Sequence, residues 1–188
     1  NLQMISSLIV MQSRSIADDN IKRSLRAMLE RIEAVSTVHR RLYQSDDVTQ
    51  FNVSDFIRDL VTDLLAASGR EEIKAEFDLV SVVIAADKAT PVALMVNELV
   101  TNALKHAFGS HTDGGPKISV RLRGTAESFA IEVADNGKGM PAEHESSEAM
   151  SFGTRLIKSL VRQLHADIQW RDDKPGTRAV ITIPAGKE

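Results

Sequence analysis

Three stretches of this 188-residue chain carry polar side chains in patterns that a plain hydrophobic core does not need. The first is Asn97-Glu98-Leu99-Val100-Thr101-Asn102-Ala103-Leu104-Lys105-His106. On a helix, Glu98, Asn102, Lys105 and His106 stand at i, i+4, i+7 and i+8. One face then offers a carboxylate, an amide oxygen, an ammonium and an imidazole. The two oxygen donors suit a hard cation such as Mg²⁺, and the two basic groups suit phosphates. Taken alone, the stripe also fits a solvated helix face.

The second stretch is Asp135-Asn136-Gly137-Lys138-Gly139-Met140, directly after the apolar run Phe129–Ala134. An acid at a strand end followed by two glycines lets backbone come close to a ligand. An ordinary Asn-Gly turn is the plainer alternative, but a two-residue hairpin should resume a strand, and Met140-Pro141 does not. Gly137, Gly139 and Ala142 match G-x-G-x-x-A by letter only, because no amphipathic helix opens there and the neighbouring strands read as antiparallel. The phosphate-loop pattern G-x-x-x-x-G-K-[ST] does not occur. The third stretch is Ser151-Phe152-Gly153-Thr154-Arg155-Leu156, where a loop enters a helix whose first amides suit an anion. A further turn, Pro175-Gly176-Thr177, precedes the last strand.

The elements that hold these stretches are set by periodicity. Past a composition shift at Ser45-Asp46-Asp47, a short strand is expected near residues 49–52, then a helix capped by Ser54 and stopped by Ser68-Gly69-Arg70. Ile73, Ala75, Phe77 and Leu79 alternate as a strand, and residues 82–85 form another. Asp87 caps a long helix to about Ala107, with Pro91 in its first turns. Strands are expected at 117–123, 128–134, 167–171 and 178–184, a loop at 135–152, and a helix from about Thr154 to His165. Three helices over a largely antiparallel mixed sheet make an α/β two-layer sandwich.

Ahead of this domain the pattern is purely helical. Leu2, Ile5, Ile9 and Ile16 form one seam, with Gln12 in its remaining slot. Ala17-Asp18-Asp19-Asn20 breaks it and supplies capping side chains. Ile21, Leu25, Met28, Ile32, Val35, His39 and Leu42 then repeat in steps of four and three, a 3.5-residue period. Leu8, Val10, Leu29 and Val38 flank the seam, more apolar surface than a lone pair of helices can bury. A four-helix bundle made by two chains through residues 1–44 is the expected solution. Packing of the hairpin on the chain's own α/β domain is the alternative. Residues 2–16 rise about 22 Å and residues 20–44 about 37 Å at ~1.5 Å per residue. Roughly ten residues of the second helix thus lack a partner, so the first helix is expected to continue upstream of Asn1. His39, on the seam, is expected to be packed and hydrogen-bonded rather than reactive. The fold class is therefore α+β: a helical hairpin over residues 1–46, then a two-layer sandwich over 47–188.

Composition excludes several functions. There is no cysteine, hence no disulfide, thiolate metal site or cysteine nucleophile. A net charge of -3 and 4% aromatic residues disfavour a nucleic-acid partner. No apolar run nears the ~18 residues of a membrane span.

In their order and spacing, the polar stretches resemble the nucleotide-binding boxes of the superfamily joining gyrase, Hsp90, histidine kinases and MutL. N-E-L-V-T-N-A-L-K-H is similar to the asparagine box, D-N-G-K-G-M to the first glycine box, S-F-G-T-R-L to the second and P-G-T to the last. N-L-Q-M-I-S-S-L and V-H-R-R-L-Y resemble the dimerisation domain of one sensor histidine kinase subfamily, so the resemblance spans essentially the whole chain. The W-x-E signature of a neighbouring subfamily is absent, since Trp170-Arg171-Asp172 has Asp in third place.

The resemblance implies a cytoplasmic two-component transmitter module. It would move the γ-phosphoryl group of ATP to a histidine and then to an aspartate of a response regulator receiver domain. It implies Mg²⁺ on Asn102, with Glu98 beside it as a metal-water or proton-transfer partner. Asp135 would accept from the adenine amino group, and Gly137, Gly139 and Met140 would lie along the base. Lys105 and His106 would touch phosphates or ribose. Gly153, Thr154 and Leu156 would close over the triphosphate, and Thr177 would line the adenine end. The second glycine box departs from the family pattern at Phe152 and Thr154-Arg155, which bears on the lid contacts. The phosphoacceptor in this subfamily precedes the N-L-Q segment, in an H-R-x-K-N pattern, and so falls ahead of Asn1. A phosphotransfer adaptor or an anti-sigma regulator is the alternative. The former should have lost Asp135, Gly137 and Gly139, and the latter generally lacks the hairpin. A clamp ATPase would need transducer domains that 188 residues cannot hold.

Overall fold

In the computed structural model, residues 2–44, 49–109, 112, 114–125, 127–139 and 152–185 are described. The hairpin comprises α1 (Leu2–Ser15) and α2 (Asp19–Gln44). Asp18 caps α2: the amides of Asn20 and Ile21 donate to its Oδ1 at 2.7 and 3.3 Å. The expected mismatch in length is present, 14 residues against 26. The boundary expected at Ser45-Asp46-Asp47 lies outside the described residues.

The second part runs β1 (Gln50–Asn52), α3 (Val53–Ser68), β2 (Lys74–Leu79), β3 (Val83–Ala85), α4 (Ala86–Asn102), a π-helical turn (Ala103–Ala107), β4 (Lys117–Gly124), β5 (Ser128–Asp135), α5 (Phe152–Gln163), β6 (Asp167–Asp172) and β7 (Thr177–Pro184). The main sheet has the order β2-β4-β5-β7-β6, with only β2 and β4 parallel. β1 and β3 make a small antiparallel pair. Ile118, Val120 and Leu122 of β4, Phe129, Ile131 and Val133 of β5, and Ala179, Ile181 and Ile183 of β7 alternate into the core. The opposite sheet face is polar: Glu132 pairs with Arg121 at 3.0 Å and with Arg178.

Three local expectations are corrected. Asn52, not Ser54, caps α3, its Oδ1 accepting from the Ser54 amide at 3.0 Å, so the helix starts at Val53. Both residue types cap well, and the Asn side chain reaches the amide two residues on. Asp87 is in the first turn of α4 but does not cap it, because Ala85 holds that position without a side-chain bond. α4 gives way at Ala103 to a π-turn, where i→i+5 bonding rotates Lys105 and His106 out of α-helical phase.

α4 is the centre of the molecule, with α2, α3 and α5 all packed against it. Its Ala89, Val92, Met95, Val96 and Val100 are fully buried. Burial of such side chains supplies about 1.5–3 kcal/mol each for the larger ones.

The hairpin meets the domain through one face of α2. Ala34 and Val38 join the domain's core, Val38 completely buried. Arg41 forms an ion pair with Asp59 of α3. The packing of the hairpin on its own domain, the alternative to a purely intermolecular bundle, is thus present. It uses Arg31, Ala34 and Val38, one residue ahead of the Ile32, Val35 and His39 series. At 3.6 residues per turn the two faces stand ~100° apart. The seam face stays partly open in the single chain, where Ile5, Ile21 and Met28 are exposed. His39 is exposed as well, so its expected burial is not supplied within one chain.

Candidate nucleotide site

The site is assembled where β5, the end of α4 and the β6–β7 turn meet. Asp135 closes β5, half-buried, opposite Ile118 of β4. Its Oδ1 accepts from the Gly137 amide at 2.9 Å and the Thr177 amide at 3.3 Å. Burial raises the carboxyl's pKa above the ordinary aspartate value. The two amides pull it down, and the nearby Asp173 charge adds to the rise. Among the described residues both of these bonds fall on Oδ1, which leaves Oδ2 as the oxygen for a further donor.

The glycines around Asp135 are required by backbone contacts. A Cβ on Gly137 would stand 2.2 Å from the Ala107 carbonyl oxygen, and the Lys138 amide donates to that same oxygen at 2.9 Å. The glycine box is therefore fastened to the end of the π-turn. Gly176, at φ 110°, presses against the Asp135 carbonyl from the other side. Asn136 ties the loop to β4: its Oδ1 accepts from the Lys117 amide at 2.7 Å and its Nδ2 donates to the Gly115 carbonyl at 2.9 Å. Gly139, at φ 78°, is half-buried. Met140, together with residues 141–151 between the two glycine boxes, lies outside the described residues.

Glu98 and Asn102 share a face of α4, one turn apart. Glu98 is buried, yet its carboxylate is engaged by α2: Arg31 donates from Nε to Oε1 at 2.7 Å and from Nη2 to Oε2 at 2.8 Å. Breaking a buried pair of this kind from one side costs about 3–5 kcal/mol. The Arg31 guanidinium also lies 4.6 Å from the centre of the Phe152 ring, at the start of α5. The departure noted in the second glycine box thus has a structural partner. Asn102 is half-buried. Lys105, expected on the phosphate stripe, instead donates to Glu30 of α2 at 3.1 Å. The π-turn moves it out of the α-helical register on which that expectation rested. His106 is exposed on the same turn.

At the start of α5, Gly153 is buried and Thr154 and Leu156 are half-buried, Leu156 against the core. Thr177 reaches Asp135 through its backbone amide. Among the described residues no cluster of three acidic or histidine side chains is arranged to hold a metal. Glu98 and Asn102 alone suit an ion such as Mg²⁺ that arrives on phosphates and keeps several waters. The half-buried acid, with its glycines, can accept from an amino donor such as that of adenine.

Sequence reasoning missed Arg31 and Glu30. It also missed Asn97 and Thr101, whose side-chain atoms are buried without a protein partner. These two line a cavity of about 840 Å³ between the hairpin and α3–α4, bordered also by Glu30, Ala34, Arg40 and Asp63. The cavity is separate from Asp135. The signal for Arg31 was the second series in α2, Ala27-Arg31-Ala34-Val38, in steps of four, three and four.

Comparison with known proteins gives the family and the fold. A family model described as histidine kinase matches residues 1–68. A second, described as histidine kinase-, DNA gyrase B-, and HSP90-like ATPase, matches residues 87–187. The chain belongs to this ATPase family. Its two parts are those of a histidine kinase transmitter module. Over its whole length it is 26% identical to the sensor histidine kinase PdtaS of Mycolicibacterium smegmatis, covering 38% of that protein. It is 26% identical to the blue-light-activated histidine kinase 2 of Erythrobacter litoralis, covering 55% of it. The histidine kinase domain of the Erythrobacter litoralis EL346 blue-light-activated kinase has a similar fold. Its TM-score is 0.76 at 23% identity, over 98% of this chain and 86% of that one. The catalytic domain of the histidine kinase ThkA superposes at a TM-score of 0.62 and 21% identity, over 74% of this chain and 98% of that one. The chain thus spans 38% to 55% of the length of the two named sequence relatives. Among the described residues no helix is long and apolar enough to cross a membrane.

Proposed function

We propose that residues 47–188 bind Mg²⁺-ATP and donate its γ-phosphoryl group to a histidine, from which an aspartate on a response regulator receiver domain takes it. Residues 1–46 serve as the dimerisation hairpin of this transmitter, which works in the cytoplasm. The observation that carries the proposal is Asp135, a half-buried acid held by two amides on one oxygen, between two glycines that permit no side chain. Its Oδ2 accepts from the adenine amino group, with Gly137, Gly139 and Met140 along the base and Thr177 at its edge. Asn102 coordinates the metal and Glu98 orients a metal-bound water or takes a proton. Lys105 and His106 reach the phosphates or ribose once Lys105 leaves Glu30. The amides opening α5 at Gly153 and Thr154, with Leu156 behind them, close over the triphosphate. Such a transfer rests on positioning and charge stabilisation more than on covalent help from the protein.

The phosphoacceptor in this proposal is a histidine other than His39, in the H-R-x-K-N pattern that the family resemblance implies. Calorimetric titration of the chain with ATP and with GTP, each with Mg²⁺, tests the nucleotide assignment. Tight ATP binding with little GTP binding is expected, because guanine presents a carbonyl where adenine presents its amino donor. Equal affinity for the two would remove Asp135 from the purine edge.

A further inference from the structure

Arg31 is placed where a structural ion pair alone would not need to be. One side chain of the hairpin touches both the asparagine box, at Glu98, and the second glycine box, at Phe152. It occupies both oxygens of the carboxylate that stands one turn before Asn102. Around it, Glu30 holds Lys105 and Arg41 pairs with Asp59, so three ion pairs tie α2 to the domain.

We propose that Arg31 is a positioning residue that makes hairpin docking and Mg²⁺-nucleotide binding compete for Glu98. This rests on the assignment of Glu98 and Asn102 to the metal end of the nucleotide. A carboxylate gripped by a guanidinium on both oxygens has little left for a metal-bound water. A divalent cation beside Asn102 repels the guanidinium and offers the carboxylate a second cationic partner. Docked α2 therefore weakens Mg²⁺-ATP binding. Linkage makes Mg²⁺-ATP loosen docked α2 by the same factor, about 5- to 150-fold for couplings of ordinary size. Phe152 extends the effect to the start of α5, because it loses its cation when Arg31 leaves. Metal-free ATP lacks the competing charge and should leave the pair intact.

The test uses the full chain, as wild type, Arg31→Gln and Arg31→Lys. ATP affinity is measured by calorimetry with and without Mg²⁺. Amide exchange of residues 34–38 in α2 is followed in parallel. In wild type, Mg²⁺-ATP should speed exchange in α2 and metal-free ATP should not. Arg31→Gln should speed that exchange in all states and raise the ratio of Mg²⁺-ATP to metal-free affinity by about fivefold or more. Arg31→Lys, which keeps the charge without the fork, should fall between. A residue with only a structural role would leave that ratio unchanged, and an unchanged ratio in Arg31→Gln overturns the proposal while leaving the nucleotide assignment standing. Exchange in α2 that ignores Mg²⁺-ATP overturns it too. Absence of ATP binding in wild type and variants alike would sink the nucleotide assignment and this inference with it. Binding seen only in Arg31→Gln would be the strongest support.

Discussion

Gly176 and Asp135 meet backbone to backbone: a Cβ on Gly176 would stand 1.8 Å from the Asp135 carbonyl oxygen. At φ 110° Gly176 is also in a region that L side chains rarely adopt. Gly176→Ala should therefore destabilise the chain by roughly 2–4 kcal/mol through overpacking and backbone strain together. The melting temperature should fall by several degrees at least. Gly109→Ala is the control, since a Cβ there meets nothing within 4 Å, and thermal melts should leave it near wild type. Equal melting temperatures for the two variants would show that the β6–β7 turn does not brace Asp135.

Asp135 sets a pH dependence. Burial raises its folded pKa above the ordinary aspartate value, so the folded chain holds this proton more tightly than the unfolded chain does. The group's contribution to stability is thus fully present below the unfolded pKa. It is lost as pH rises through the folded one, and at neutrality the charged form is a cost. An adenine amino group donates to the charged form. ATP affinity should accordingly fall on acidification before the ordinary aspartate range is reached, and binding there should release a proton. Calorimetry in buffers of different ionisation enthalpy reads both. In Asp135→Asn that acid limb should vanish, and its persistence would assign the titration elsewhere.

Met28 separates the two faces of α2. It is 48% exposed in the single chain, so Met28→Asp should change the melting temperature of a monomer little. On a seam between two chains the same charge is buried without a partner, at a cost of several kcal/mol. Light scattering should find a wild-type dimer and a monomeric Met28→Asp that keeps its fold. A wild type that is monomeric at high concentration would contradict the bundle.

His39 should not accept phosphate. It stands eight residues past Arg31, about 12 Å along α2 at ~1.5 Å per residue, and Arg31 is held at the Glu98 end of the site. Attack requires atoms ~3–3.5 Å apart and near in line. Incubation with ATP labelled at the γ-phosphate should give no acid-labile, base-stable label on this chain. Label that disappears in His39→Gln would make His39 the acceptor.

Much of this was legible in the residues. The hairpin is written in a sustained 3.5-residue period, and the antiparallel sheet in alternating runs separated by turn residues. The polar boxes stood out because Glu98, Asn102 and Asp135 sit where a core has no use for polar groups. Arg31 was harder to see: its series is short and built of alanines around one charge, so an apolar count passes over it. The pairing of Lys105 with Glu30 was not legible because helical spacing was carried through Ala103–Ala107, and nothing in those five residues announces a π-turn. Gly137 was read as room for a base. The neighbour that forbids its side chain is Ala107, 30 residues away in sequence and adjacent only once α4 has packed on β5.

The most direct measurement is ATP affinity, with and without Mg²⁺, for wild type, Asp135→Asn and Asn102→Ala. Asp135→Asn should weaken binding in both conditions by about 1–3 kcal/mol, the scale of a charge-assisted hydrogen bond lost at a desolvated partner. Asn102→Ala should keep metal-free affinity and lose the gain from Mg²⁺. Unchanged affinity in Asp135→Asn, or a Mg²⁺ gain that survives in Asn102→Ala, would contradict the placement of the nucleotide between β5 and α4.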